Sequence, residues 1–233
     1  MRFRSKVTRL EKTKTRKQIV LAASIIIAVM LVASVAIYLQ STSTITKTLY
    51  PTEIRQYQGQ NLSSINNDYE NAIKGTQYIN QTSYRLTVTG LVNKTIQSTY
   101  DEVVSSHQKY QQVVTIYCVE GWNAKILWEG ILVKDLLQEA GVSQNASVVI
   151  FHASDGYTTA LPMDYLIQNN IMLAFKMNGV TLTPQIGWPF MLVAQSQYGY
   201  KWIKWLTEIE ASNDTSYLGY WESRGYPNNA AIP

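Results

Sequence analysis

Val113-Val114-Thr115-Ile116-Tyr117-Cys118-Val119-Glu120-Gly121-Trp122 is the stretch on which the fold turns. Its β-branched first half reads as a strand, and Gly121 marks the turn that ends it. Cys118 sits where strand passes into turn and is the one cysteine among 233 residues. A single thiol rules out an intramolecular disulfide and any zinc site built on CxxC pairs. A thiolate displayed at a strand end is suited to a soft ligand.

Working outward, Tyr84 to Gly90 alternates polar and apolar residues and stops at glycine, a strand signal. Ile131 to Ala140 predicts an amphipathic helix, with Ile131, Leu132, Leu136 and Leu137 on one face and Gly141 as its cap. Val148 to Phe151 predicts a buried strand, Asp155-Gly156-Tyr157 a turn, and Thr158 to Leu161 the returning strand. Leu173 to Met177 predicts a strand ending at the Asn178-Gly179 turn. Phe190 to Ala194 predicts another, and Trp202 to Glu210 a last one with alternating aromatics. Strands dominate and helices are few, which places the chain in the mixed α+β class.

Ile19 to Leu39 holds 21 residues without a charge, enough for a helix that spans the ~30 Å hydrocarbon core of a bilayer. Eight Lys or Arg and one acid lie in residues 1–18. That asymmetry predicts a cytoplasmic basic tail (1–18), a single transmembrane helix (19–39) anchored in membrane lipid, a polar stalk (40–60) and an extracytoplasmic domain (61–233). The net charge of +4 is the +7 of that tail set against −3 for the rest, so it carries no case for nucleic-acid binding. Five Asn-x-Ser/Thr sequons, at Asn61, Asn80, Asn93, Asn145 and Asn213, fit a glycoprotein of the outer surface.

The order of motifs resembles the oxidoreductase molybdopterin-binding domain of the sulfite oxidase superfamily, in the branch of the protein-methionine-sulfoxide reductases. The resemblance rests on Cys118-Val119-Glu120-Gly121-Trp122, Trp128-Glu129-Gly130, Leu136-Leu137 with Ala140-Gly141, Asp155-Gly156-Tyr157, Met177-Asn178-Gly179 and Tyr198-Gly199-Tyr200-Lys201 before Trp205. It covers about residues 61–212, and Trp221 to Tyr226 resembles the tail of such domains. The resemblance implies a sulfite-oxidase-type fold and a molybdenum–molybdopterin cofactor with Cys118 as a ligand of the metal. It implies two-electron oxygen-atom transfer on a sulfite- or sulfoxide-type substrate. It also implies that Gly199, Tyr200 and Lys201 hold the phosphate end of the pterin, and that Asn66, Tyr69 and Glu70 reach the pterin.

Three positions depart from the family pattern: Ala153, Ile186 and Met191 stand where it usually has Thr, Asn or His, and Arg. Methionine cannot replace the bidentate phosphate grip of arginine. The alternative to an enzyme is therefore a cofactor-free binding or structural module of the same fold. The chain has two His and no CxxCH, hence no haem motif, so an enzyme of this kind needs a separate redox partner, such as a membrane haem protein or a quinone-linked one. His107 and His152 read as packing or surface residues, and Glu120 and Asp155 as turn carboxylates.

Overall fold

The computed structural model describes residues 29–31, 33–34, 52–66 and 71–232. Two compact units divide the chain, Met1–Lys47 and Thr48–Pro233. In the first, residues 29–31 and 33–34 are helical. Among the described residues no helix is long and apolar enough to cross a membrane; most of the 19–39 segment lies outside them.

In the second unit the strands are β1 (Gln56–Tyr57), β2 (Gln60–Asn61), β3 (Leu86–Gly90), β4 (Ile96–Ser98), β5 (Tyr110–Tyr117), β6 (Asn123–Leu132), β7 (Val148–Ala153), β8 (Thr158–Pro162), β9 (Met172–Met177), β10 (Val180–Thr181), β11 (Met191–Val193) and β12 (Leu206–Ser212). Among the described residues, three short α-helices are α1 (Tyr100–Ser106), α2 (Val133–Glu139) and α3 (Met163–Gln168). One sheet has the order β10-β9-β6-β5, with β11 also paired to β9; the other runs β4-β3-β12-β7-β8. Every neighbouring pair is antiparallel except β3 with β12. This is the α+β arrangement of mixed sheets with few helices that the strand signals predict.

The hairpin β5–β6 is the longest ladder, in register from Tyr110↔Gly130 to Tyr117↔Asn123. Val114 and Ile116 face the core while their neighbours do not, so β5 alternates rather than running apolar throughout. On β6, Trp128 is buried, donates its indole N–H to the Val114 carbonyl at 3.2 Å, and packs on Trp202 with centroids 5.6 Å apart. Full burial of such side chains stabilises by about 1.5–3 kcal/mol each.

Two expectations shift. Ile131 and Leu132 belong to β6, paired with Leu173 and Met172, and the helix begins at Val133. Local apolar spacing is read there as helix, but cross-strand pairing keeps the chain extended for two more residues. The last strand begins at Leu206 rather than Trp202, because Trp205 takes φ = 55°, which an extended strand cannot hold. Residues 52–60, part of the polar stretch 40–60, lie against the domain rather than apart from it. The Ile54 amide donates to the Asn178 carbonyl at 2.8 Å, and the Asn178 side chain donates to Ser63 O at 2.8 Å and Glu53 Oε1 at 3.2 Å. Asn178 itself is fully buried with φ = 47°, a backbone asparagine tolerates better than most residues.

Candidate active site

The turn between β5 and β6 is short and closed by backbone bonds. The Cys118 amide donates to Trp122 O at 2.9 Å, and the Gly121 amide to Cys118 O at 3.1 Å. Gly121 has φ = 92°, so the turn needs a residue without a Cβ there. The thiol accepts from the Glu120 backbone N–H at 3.5 Å, and the Asn71 amide lies 4.0 Å from it. Burial pushes the Cys118 thiol up from its ordinary pKa; the Glu120 N–H opposes this and the Glu120 charge adds to it. The free side chain is thus held as a thiol, and a ligated metal has to displace its proton.

A parallel bridge between Tyr117 and Tyr198 lays Gly199 and Tyr200 beside Cys118, although 81 positions separate Cys118 from Gly199. A Cβ on Gly199 would stand 3.4 Å from the Tyr117 carbonyl, so the two backbones approach closely. Around this junction is a cavity of about 430 Å³ lined by Cys118, Glu120, Asp155, Met191, Gly199, Tyr200 and Lys204, with Asn71 to Ile73 on one side. Trp122, Tyr157, Trp202, Trp205, Tyr220, Trp221 and Tyr226 make its aromatic walls. The Tyr157 hydroxyl donates to the Tyr200 carbonyl at 2.5 Å and fixes that segment from behind. Burial holds the Tyr200 phenol up at about 12 and Tyr157 higher still, so both keep their protons at neutral pH.

Of the residues singled out from sequence, the cavity gathers Cys118, Gly199 and Tyr200. Lys201 is placed elsewhere. Its side chain is wholly buried and forms an ion pair with Glu222 Oε1 at 2.5 Å, while donating to Ala160 O and Asn228 Oδ1, both at 3.0 Å. It does not line the cavity. Lys204 does, with its ammonium 4.4 Å from the Trp205 ring centroid and 3.3 Å from Gln185 O. The sequence repeats Lys-Trp at 201–202 and 204–205, and nothing local separates the two lysines. Asn66 is half-buried and its backbone N–H donates to Ser64 Oγ at 3.2 Å; it is not on the cavity wall. Tyr69 and Glu70 lie outside the described residues, though the following Asn71 reaches the thiol.

Met191 faces the cavity, Ile186 packs against the core, and Ala153 closes β7. Asp155 accepts from the Tyr157 amide at 2.9 Å, the bond of a turn former. His107 bonds Glu139 and His152 bonds Glu210, both at 2.9 Å. His152, Glu208 and Glu210 bring ligand atoms within 4.8 Å of one another. Thr89 donates to Glu208 at 2.6 Å, however, so the group is already satisfied within its sheet.

A lone thiol at a hairpin tip opens on an aromatic cavity of cofactor size, the kind of site in which a soft donor and a concave apolar wall stand together. The profile of the oxidoreductase molybdopterin binding domain matches residues 73–221, and the chain belongs to that family, within the sulfite oxidase superfamily. A family of unknown function, DUF7261, matches residues 13–123.

The uncharacterised oxidoreductase YuiH of Bacillus subtilis is 35% identical over 150 residues, 64% of this chain and 75% of that protein. The putative protein-methionine-sulfoxide reductase subunit YedZ1 of Azospira oryzae is 34% identical over 149 residues, covering 64% of this chain and 56% of its own length. The catalytic subunit MsrP of Gluconobacter oxydans is 29% identical over 143 residues, 54% of this chain and 46% of that protein. The sulfane dehydrogenase SoxCD of Paracoccus pantotrophus shares the fold, with a TM-score of 0.63 at 20% identity over 73% of this chain and 50% of that one. The chain thus spans only part of the length of each of these proteins.

The residues present fit a molybdopterin. The thiol is the soft donor molybdenum takes, the cavity lies in the ~300–1,000 Å³ range of cofactor sites, and Lys204 offers a cation for an anionic tail. Lys201 is committed to Glu222, and Met191 adds no charge to the wall.

Proposed function

We propose that this chain is a membrane-anchored, extracytoplasmic molybdenum-cofactor oxidoreductase that transfers an oxygen atom with two electrons to or from a sulfite- or sulfoxide-type acceptor. The observation that carries the reading is Cys118: the one thiol of the chain opens into the cavity that also receives Gly199 and Tyr200. The cofactor, when bound, supplies the two-electron redox chemistry. The chain supplies its placement. Cys118 would be its sulfur ligand, losing its proton on binding, and the closed turn at Gly121 fixes where that sulfur stands. Lys204 on the cavity wall would supply a cation for an anionic end, Tyr157 braces the 200 carbonyl, and the aromatic walls limit access of water. YedZ1 and MsrP carry names of methionine-sulfoxide reductase subunits, which supports a sulfoxide acceptor.

The charge asymmetry about residues 19–39 supports an anchor with the domain outside. The solvent exposure of Asn61, Asn80, Asn93, Asn145 and Asn213 suits glycosylation in a host that glycosylates. Electrons then pass through a separate partner, a membrane haem or quinone-linked protein. One observation favours a cofactor-free module instead: Met191 puts an apolar side chain on the cavity wall, and Lys201 is already paired.

Expression in a host that makes molybdopterin separates the two. The protein is expected to contain about one molybdenum per chain, as one thiolate site requires. Cys118→Ala is expected to lose the sulfur–metal signature in X-ray absorption together with oxygen transfer. A well-folded wild type that never takes up molybdenum would establish the module.

A further inference from the structure

Lys201 and Glu222 form a buried ion pair that the proposed chemistry does not use. Both side chains are wholly inaccessible, and the Lys201 ammonium is bonded to Glu222, Ala160 and Asn228. Glu222 Oε1 also accepts from Thr159 Oγ1 at 2.7 Å, while Oε2 has no hydrogen-bond partner. Removing two charges from water costs several kcal/mol per ion in practice, so such a pair is a poor source of stability by itself. What it does supply is geometry. It joins three stretches of chain: β8 through Thr159 and Ala160, the turn Gly199–Lys201, and the C-terminal segment through Glu222 and Asn228.

That C-terminal segment forms one wall of the cavity. Tyr220, Trp221 and Tyr226 line it, and ring contacts run from Tyr157 to Tyr220 (5.5 Å), Trp221 (5.3 Å), Tyr226 (5.2 Å) and Tyr200 (5.2 Å). Residues 213–230 contain no strand, so no ladder holds them. Further ties go to the same partner turn: Tyr200 OH to Pro227 O at 2.7 Å, and the Tyr198 amide to Ala230 O at 2.9 Å.

We propose that the Lys201–Glu222 pair is the fastener that holds residues 217–231 as a strap over the Cys118 cavity, which makes both positioning residues for the site. The two residues act through Tyr220, Trp221 and Tyr226 and touch no reacting atom themselves. The consequence for catalysis rests on the proposed oxidoreductase reading, whereas the strap is measured on the thiol alone.

The test is carbamidomethylation of Cys118 by iodoacetamide in the full chain free of cofactor, well below the urea unfolding transition. With one cysteine the rate reports only this cavity. Glu222→Gln leaves the buried ammonium uncompensated. It is expected to raise the rate about tenfold, the factor that 1.4 kcal/mol of lost fastening gives, with a new chymotryptic cut within residues 217–231. Asn228→Ala, at an exposed position, is expected to fold like the parent and raise the rate by a smaller factor. Local opening makes the added rate independent of urea at low concentration, whereas a merely structural role raises it only with global unfolding. Lys201→Arg keeps the charge and is expected to stay near the parent rate. Parent-like rates in both Glu222→Gln and Asn228→Ala, or a rise that follows the global transition, overturn the proposal. A wild type without molybdenum would remove the enzyme reading and leave this measurement standing.

Discussion

At the residue scale, the site depends on what stands next to each charge. Cys118 is kept protonated by burial in a turn that also contains Glu120, so the free protein presents a thiol, and a metal bound there would have to displace its proton. Lys201 shows the opposite case. Burial lowers its pKa and the Glu222 carboxylate opposes that, so its charge is committed inside the protein. Met191 puts a nearly buried, uncharged side chain on the cavity wall. Met191→Arg is expected to increase molybdenum occupancy, because a charge-assisted hydrogen bond adds about 1.5–3 kcal/mol. Metal content and melting temperature with and without cofactor check this. A lower melting temperature with no gain in metal means the guanidinium is buried unpaired in apolar surroundings.

At the scale of elements, the hairpin β5–β6 carries the site, and β6 is held on its other side by β9. The pairing with β9 is irregular between Glu129 and Gly130. There a Cβ would fall 2.3 Å from Leu173 O, 2.6 Å from Met172 Cγ and 2.8 Å from Ala174 Cα. Two of these neighbours are backbone atoms of the adjacent strand and cannot swing aside. Gly130→Ala is therefore expected to destabilise the domain by about 1–3 kcal/mol, a fall in melting temperature of roughly 2–4 °C per kcal/mol for a chain of this size. A melting temperature equal to wild type would show that the sheet can part at this point. Elsewhere in the domain, α1 begins with a complete capping box, in which Thr99 Oγ1 accepts from the Glu102 amide at 3.2 Å and Glu102 accepts from the Thr99 amide at 2.8 Å. The sequence carries the signal for this helix in Thr99-x-x-Glu102, a capping box amid strand-dominated surroundings.

At the scale of the whole molecule, the proposal sets the domain outside the membrane with residues 1–18 inside. The +7 of that tail against −3 for the remainder is the physical basis, since Lys and Arg near the end of an apolar span resist translocation. A tag fused after Pro233 is expected to be labelled by an impermeant reagent on intact cells. Labelling only after permeabilisation would reverse the orientation.

The sequence by itself determined the class of fold, the family and the metal-ligand candidate. Those features depend on short-range information: strand period, turn residues, one thiol and an ordered series of motifs. Boundaries set by pairing were decided only in the tertiary structure. Ile131 and Leu132 stay extended because Leu173 and Met172 lie beside them, and Trp205 breaks the last strand through its backbone rather than its side chain. The division of labour between Lys201 and Lys204 belongs to the same kind. Both follow an aromatic or apolar residue and precede a tryptophan, so local chemistry is the same. One is turned onto Glu222, 21 residues away, and the other faces the cavity. A lysine's role is set by the charge it meets in space, and a carboxylate brought up by a distant turn leaves no trace in the residues around it.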